Sequence, residues 1–135
     1  MRIHTETLTL QTKTSEALYD ITAMLQSCVK QSNIKMGQLS IFIPHTTAAV
    51  TVNENTDPDV AKDMTMSLQK NIPDDPAFRH LEGNAHAHVK ASVIGPSLTL
   101  HIQDARLLLG TWQGVFFCEF DGPRHRKIHV QAWGT

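Results

Sequence analysis

Histidine is the residue type in this chain best suited to chemistry, and eight are present. His86 and His88 are separated by one residue, and in an extended segment both imidazoles project to the same side. Imidazole nitrogens suit zinc, nickel, copper or iron, and three of them with a water form an open catalytic metal site. With His45 as the third donor, the sequence predicts a divalent metal ion, zinc before magnesium. The alternative is that one histidine hydrogen-bonds in a loop while the other packs.

A second group of polar residues follows His45 along one predicted strand and ends in an Asn-Glu-Asn run. A period of two puts Val50 and Val52 toward the core and a polar set on the other face, made of His45, Thr47, Thr51 and Asn53. Glu54 follows where a helix starts, a place that positions carboxylates. Asn53 and Glu54 are therefore candidate catalytic residues. In the alternative interpretation, this segment only caps the helix, and the nearby aspartates form a solvated acidic face.

Glu119 and Gln113 interrupt an otherwise apolar strand. A carboxylate in such surroundings must find a cation or a hydrogen-bond donor, or take up a proton. Glu119 is thus a candidate metal ligand, histidine partner or general base. A buried salt bridge to Arg124, Arg126 or Lys90 explains it equally well.

A short basic run, Arg124 to Lys127, follows a turn near the C-terminus. Arginine binds phosphate and carboxylate groups bidentately, so Arg124 and Arg126 are candidate binding residues for an anionic group. A solvated turn or a subunit contact is the alternative. The remaining histidines have no paired context and receive no function; they are His4, His80, His101, His125 and His129.

The elements that must position these residues alternate between strand and helix patterns. Apolar residues recur at helical spacing from Ser15 to Lys30, and Thr56 to about Lys70 begins with a capping hydroxyl and an early proline. A long loop then runs to Asn84. Strands are predicted for Ile3–Gln11, Leu39–Ile43, Thr46–Asn53, His88–Ile94, Leu98–Gln103, Trp112–Phe120 and Ile128–Trp133. The prediction is one α+β domain over residues 1–135, with two main helices and a mixed, mostly antiparallel sheet folded as a sandwich or half-barrel.

Composition narrows the class of function. The net charge of −1 offers no broad cationic surface for nucleic acid. No apolar run approaches the roughly 20 residues that cross a bilayer, and the N-terminus lacks a signal-peptide pattern, so we expect a cytoplasmic protein without a membrane partner. Cys28 and Cys118 are expected to be buried thiols. A small-molecule substrate is the expected partner.

Three runs of sequence together resemble the signature blocks of the YjbQ family (UPF0047). The runs are His45-Thr-Thr-Ala-Ala-Val-Thr-Val-Asn-Glu-Asn, His88-Val-Lys with Gly95 following, and Gly110-Thr-Trp-Gln with Glu119. The resemblance implies an α+β homotrimer with a histidine-containing cavity that often holds a metal ion. The histidine blocks map to His45 and His88, whereas His86 falls in a stretch that varies among relatives.

The resemblance also implies a secondary thiamine-phosphate synthase activity, in which a thiazole nitrogen displaces pyrophosphate from an activated pyrimidine. Lys90, Arg124 and Arg126 could neutralise that leaving group, although the chain has no Gly-rich phosphate cradle. The leading hypothesis is a metal-dependent enzyme on a small phosphorylated or heterocyclic substrate, with a metal-dependent hydrolase as the nearest chemical rival. A module that binds a metabolite or metal without turnover is the alternative.

Overall fold

Two antiparallel sheets face each other across the main core of the computed structural model, which describes all 135 residues. The five-stranded sheet has the order β1-β8-β3-β5-β6, and the three-stranded sheet has the order β2-β7-β4. Every strand pairing is antiparallel. The strands are β1 Arg2–Gln11, β2 Ala17–Asp20, β3 Met36–Phe42, β4 Ala48–Glu54, β5 Ser97–Gln103, β6 Arg106–Leu107, β7 Gln113–Glu119 and β8 His125–Gly134.

Three helices cover this framework at different places. Helix α1, Thr22–Ser32, buries Leu25, Cys28 and Val29 in the main core. Helix α2, Pro58–Asn71, begins at the N-cap Asp57, whose side chain accepts a hydrogen bond from the Asp59 amide, but it buries none of its residues fully. Helix α3, Ala85–Ile94, packs against β4. The predicted α+β class with a mostly antiparallel half-barrel is confirmed, with three helices in place of the two expected.

The predicted strand from His88 to Ile94 is wrong, because these residues belong to helix α3. Two alanines one turn apart, Ala87 and Ala91, form a small second core with Ala49, Cys118 and Phe120. Small side chains allow the helix to approach the sheet closely, and this packing outweighs the strand preference of the valines and isoleucine in the segment. The predicted extended geometry of the His86–His88 pair is wrong for the same reason.

The first predicted helix also begins too early. Residues Ala17–Asp20 form β2, which pairs with β7, and the helix starts only at Thr22. The Asp20 carboxylate accepts hydrogen bonds from the amide and the hydroxyl of Thr22 at 2.9 and 2.6 Å. Pairing with β7 therefore places residues 17–20 in a strand, although their local spacing favours a helix.

The outward face of the five-stranded sheet is not covered by any helix. Its side chains alternate with the core-facing ones along β1, β8, β3 and β5, and most are uncharged polar residues. The exposed members are Ile3, Thr5, Thr7, Thr9, Gln11, Met36, Phe42, Ser97, Thr99, His101, Gln103, His125, Lys127, His129 and Gln131. We call this set the open sheet face. No helix of the chain is long and apolar enough to cross a membrane.

Candidate functional site

A cavity of about 640 Å³ lies where the chain leaves β3, enters α3 and turns into β8. Its wall contains His45 and His88 from distant parts of the chain, together with two arginines, two carboxylates and one side-chain amide. The lining residues are Phe42, Ile43, Pro44, His45, Thr46, Thr47, His80, Glu82, Asn84, His88, Pro96, Asp121, Arg124 and Arg126. We call this space the histidine cavity.

His45 follows Pro44 in the connection between β3 and β4, and its ring is held by the backbone of β8. The Nε2 atom of His45 lies 2.8 Å from the backbone nitrogen of Lys127 and accepts its hydrogen bond. Because a neutral imidazole carries one proton, the other nitrogen, Nδ1, must carry it. Burial, reinforced by the charge of Arg126, lowers the pKa of His45 below its ordinary value of 6.5. His45 therefore lines the cavity as a neutral hydrogen-bond donor.

His88 projects from the first turns of α3 and meets His80 from the preceding loop. The two rings pack edge to face, with centroids 5.4 Å apart and an interplanar angle of 84°. His80 also lies 4.0 Å from a carboxylate oxygen of Glu82. Sequence reasoning gave His80 no function; its position in the loop just before the predicted site was the signal that could have identified it.

Asn84, Asp121 and Arg124 form a hydrogen-bonded chain along another part of the wall. Asn84 Nδ2 donates to Asp121 Oδ2 at 2.8 Å, and Arg124 Nη2 donates to the same oxygen at 3.0 Å. Arg124 Nε also donates to the backbone oxygen of Asp121 at 2.7 Å. Asn84 Oδ1, by contrast, is buried without a partner. Asn84 and Asp121 were not predicted as site residues.

Glu119 and Arg126 form a buried ion pair, and Arg126 also lines the cavity. Arg126 Nε donates to Glu119 Oε2 at 2.7 Å, and Nη2 donates to Glu119 Oε1 and to Thr47 Oγ1. Burial raises the pKa of Glu119, but hydrogen bonds from Arg126, the Asp121 amide and Thr12 outweigh it and hold the pKa below its ordinary value. Glu119 is thus an ionised partner of Arg126, which is the salt-bridge interpretation. A carboxylate so committed is a poor general base.

His86 and Lys90 lie on a different side of α3 from His88. Residues two positions apart in a helix point about 200° apart, whereas residues four apart share a face. Lys90 is 1% exposed and pairs with Glu16, and His86 Nδ1 lies 3.2 Å from Lys90 Nζ. Neither residue lines the histidine cavity. The expectations that His86 shares a metal with His88 and that Lys90 acts in the same site do not fit this geometry.

Asn53, Glu54 and Gln113 lie at the other end of the three-stranded sheet. Strand β4 is roughly 20 Å long, and His45 precedes one end while Glu54 closes the other. Glu54 pairs in register with Gln113, whose Oε1 accepts the Gly110 amide at 2.8 Å. Asn53 Oδ1 accepts the Glu54 amide, and Glu54 Oε2 accepts the Asp57 amide. These contacts are those of a helix entry. Of the predicted polar wall, His45 and Thr47 line the histidine cavity, whereas Asn53 and Glu54 lie outside it.

The predicted three-histidine metal centre does not form within one chain. No three His, Cys, Asp or Glu side chains converge closely enough to hold a metal ion. His45 uses its Nε2 lone pair for the Lys127 amide, and His86 faces Glu16. His80 and His88 are the two imidazoles that remain at the cavity, fewer than the three of the predicted metal centre.

The family model for the UPF0047 protein YjbQ-like family matches residues 6–135. The chain belongs to the YjbQ (UPF0047) family. It is 48% identical over 125 residues to the UPF0047 protein MJ1081 of Methanocaldococcus jannaschii, covering 93% of this chain and 91% of that protein. It is 42% identical over 130 residues to the UPF0047 protein YugU of Bacillus subtilis, covering 96% and 98%.

Solved structures of YjbQ relatives have the same fold. A YbjQ-like protein of unknown function from Sulfolobus solfataricus superposes with a TM-score of 0.94 at 31% identity, covering 99% of each chain. A YjbQ/UPF0047 family protein from Clostridium acetobutylicum gives a TM-score of 0.92 at 44% identity, covering 95% of this chain and 99% of that one. These matches extend over the histidine cavity as well as the sheets.

Proposed function

We propose that the histidine cavity binds a small phosphorylated metabolite and that the chain acts on it as an enzyme. The observation that carries the proposal is the hydrogen bond from the Lys127 amide to His45 Nε2, which leaves the Nδ1–H of His45 as a donor in a cavity shared with Arg124 and Arg126. Fixed donors that converge on one space are suited to the oxygens of a phosphoryl group.

The two arginines keep donors for such a ligand after their internal contacts are satisfied. Arg124 uses Nε and Nη2 on Asp121, and Arg126 uses Nε and Nη2 on Glu119 and Thr47. Each guanidinium has a second terminal nitrogen without a partner in the chain, and the internal ion pairs hold both side chains in position. Such preorganisation reduces the conformational entropy lost when the anion binds.

His88 is the proposed proton-transfer group, with His80 packed against its ring. Imidazole moves protons near neutral pH, and His88 lines the same cavity as the proposed anion donors. Glu119 has no such role in this proposal because it is already ionised and paired.

Thiamine-phosphate synthase-like transfer is one reaction that the proposed site would serve. A thiazole nitrogen would form a carbon–nitrogen bond as the bond to pyrophosphate breaks, and the donors of the cavity would stabilise the departing anion. Hydrolysis of a phosphorylated compound is the closest rival, and binding without turnover is the non-enzymatic alternative.

Titration calorimetry of the full chain with pyrophosphate tests the binding step. We expect His45→Ala and Arg124→Ala to weaken binding about tenfold each, since each removes one anion contact, while the distant surface variant Lys70→Ala binds as the wild type does. Equal affinity in all four proteins would refute the proposed site. Incubation with phosphorylated pyrimidine and thiazole substrates, followed by product analysis, separates an enzyme from a binding module.

The divalent metal ion is a separate prediction that this binding mode does not need. Zinc or magnesium would have to use His88 with His80 and take further ligands from water, substrate or a second copy of the chain. Metal analysis of the assembled protein decides this point independently of phosphate binding.

We also propose that copies of the chain assemble as a homotrimer through the open sheet face. Lys127 is the one Lys, Arg, Asp or Glu among its exposed residues on β1, β8, β3 and β5, and the centres of protein interfaces are depleted of charge. Phe42, which lines the histidine cavity, belongs to this face and stacks on His129 with centroids 6.5 Å apart. Assembly through this surface would therefore bring a second copy next to the cavity.

A further inference from the structure

Helices α2 and α3 lie over the same face of the three-stranded sheet but pack against it differently. On α3, Ala87 and Ala91 are buried against the sheet. Helix α2 buries none of its residues fully, and a space of about 620 Å³ lies between it and strands β2 and β7. We call this space the α2 cleft. It has the volume of a small-molecule site and shares no lining residue with the histidine cavity.

The two long walls of the α2 cleft are mostly apolar. Leu18 of β2 and Phe116 of β7 lie on the outward face of the sheet and form one wall. Ala61 and Met66 of α2 line the opposite wall. The hydroxyl of Thr65, also in that wall, is used within the helix, where it donates to the Ala61 carbonyl oxygen at 2.9 Å. Such surfaces suit the apolar body of a small molecule.

One end of the α2 cleft, where β2 and β4 end and α2 begins, carries three carboxylates. They belong to Asp20, Glu54 and Asp57. None of the three takes part in an ion pair of the chain. Lys62 is the one Lys, Arg or His in the cleft wall, and Glu16, the remaining carboxylate there, is already paired with Lys90. The uncompensated charge of the wall is therefore negative.

Uncharged donors hold these carboxylates in position. Asp20 Oδ1 accepts from Thr22, and Asp20 Oδ2 accepts from Asn55 Nδ2 at 3.1 Å. Burial raises the pKa of Asp20, but these hydrogen bonds outweigh it and hold the pKa below its ordinary value. Glu54 Oε2 accepts the Asp57 amide, and Asp57 Oδ1 accepts the amide two residues further on. Glu54 Oε1 and Asp57 Oδ2 make no hydrogen bond within the chain and remain as acceptors.

We propose that the α2 cleft binds a small organic cation, an ammonium group carried on an aliphatic or aromatic body. The apolar walls contact the body, and the carboxylates at the start of α2 accept hydrogen bonds from the ammonium. An anion of the same shape is repelled by these carboxylates, and a neutral molecule gains no charge attraction from them. The site does not depend on the function proposed for the histidine cavity, whose donors suit an anion.

Ligands of one shape and different charge test this proposal on the full chain. Phenethylammonium, phenethyl alcohol and phenylacetate share an aromatic body, whereas methylammonium lacks one. With ¹³C-methyl methionine, Met66 reports on the cleft, and Met36 on the open sheet face is the distant control. We expect phenethylammonium to shift the Met66 resonance with a Kd at least about tenfold lower than that of the other three compounds. The Met36 resonance should not move.

Three variants locate the bound cation. Glu54→Gln removes one charge but keeps an acceptor for the Asp57 amide, and it should weaken phenethylammonium binding about fivefold while the alcohol changes less than about twofold. Asp63→Asn is the matched control, since it removes an exposed carboxylate of α2 that lies outside the cleft. It should bind as the wild type does. Ala61→Phe fills the cleft from the helix side and should abolish binding.

Several results would overturn the proposal. The charge requirement is wrong if the alcohol or phenylacetate binds as tightly as phenethylammonium, or if Glu54→Gln binds like the wild type. Equal binding of methylammonium would show that the apolar walls play no part. Unchanged binding to Ala61→Phe, verified as folded by circular dichroism and melting curves, would place the ligand elsewhere. Pyrophosphate binding at the histidine cavity is a separate measurement, so either site can fail without the other.

Discussion

His45 Nε2 accepts a hydrogen bond from the backbone nitrogen of Lys127 at 2.8 Å, which assigns the single proton of the neutral ring to Nδ1. Burial and the charge of Arg126 lower the pKa of this ring. The contact ties a connection after β3 to strand β8, so the state of the ring depends on the tertiary fold. A neutral donor and a metal ligand are different chemical roles, and this relationship favours the donor.

The first prediction concerns the protonation of His45. Because its folded pKa is lowered, the His45 ring should be less protonated at pH 6.5 than an exposed histidine, which is about half protonated there. Long-range ¹H–¹⁵N spectra should show the Nδ1–H tautomer there. The contribution of the neutral His45 ring to the free energy of unfolding is fully present above the ordinary pKa of 6.5. It is lost as the pH falls through the lower pKa of the folded state. A ring that titrates at its ordinary pKa would contradict the assignment.

Metal content tests the role of His88 against a neighbour on the same helix. If the assembled protein binds zinc, His88→Ala should lower the metal found by elemental analysis to a small fraction of the wild-type value. His86→Ala is the matched control, because it removes an imidazole that faces Glu16 and lies outside the cavity. Equal loss in both variants, or no metal in the wild type, would remove the ligand prediction for His88.

The Glu119–Arg126 ion pair should be a major determinant of stability. Glu119→Gln leaves Arg126 buried without its charge partner and should reduce the free energy of unfolding by about 3–5 kcal/mol in urea at pH 7. The double variant Glu119→Gln with Arg126→Met removes the uncompensated charge and should recover part of this loss.

The pH dependence of the same pair has a definite sign. The pKa of Glu119 in the folded protein is held below 4.5. The ionised carboxylate therefore contributes to the free energy of unfolding above pH 4.5, and this contribution is lost as the pH falls through the folded pKa. The stability difference between the wild type and Glu119→Gln should therefore shrink in acid. A constant difference from pH 7 down to the acid transition would show that the carboxylate is not ionised in the fold.

Trp112 should contribute little to stability in the isolated chain. The indole is 61% exposed. Trp112→Ala should change the free energy of unfolding by about 0.5 kcal/mol or less, whereas Phe117→Ala, at a fully buried position, should cost about 3–5 kcal/mol. Chemical denaturation of both variants measures the contrast. A loss of several kcal/mol for Trp112 would mean that assembly covers it.

The assembly prediction is tested by placing a charge on the open sheet face. Gln131 on β8 lies beside Thr5 and Ser40 in the two neighbouring strands, near the middle of this face. Gln131→Lys should convert a trimer into monomers in light-scattering measurements, because an unpaired charge in an interface core is costly. Ser27→Lys, exposed on α1, should leave the mass unchanged. A wild-type monomer would refute the proposal outright.

Local periodicity in the sequence was enough to predict most of the strands and the fold class. Alternation along Ile3–Gln11, Leu98–Gln103 and Ile128–Trp133 gave strands within a few residues of β1, β5 and β8. The motif blocks identified the family, and they directed attention to His45 and His88, which line one cavity. These features depend on neighbours along the chain, so the sequence alone carries them.

The charge and the hydrogen-bonding role of each candidate side chain were decided only by the tertiary structure. Helix α3 forms because Ala87 and Ala91 pack on Ala49, a contact absent from local spacing, and the helix then turns His86 and Lys90 away from His88. Three cations could have paired with Glu119, and the fold selects Arg126. A side chain's charge and hydrogen-bonding role depend on atoms brought close in space, often from far along the chain.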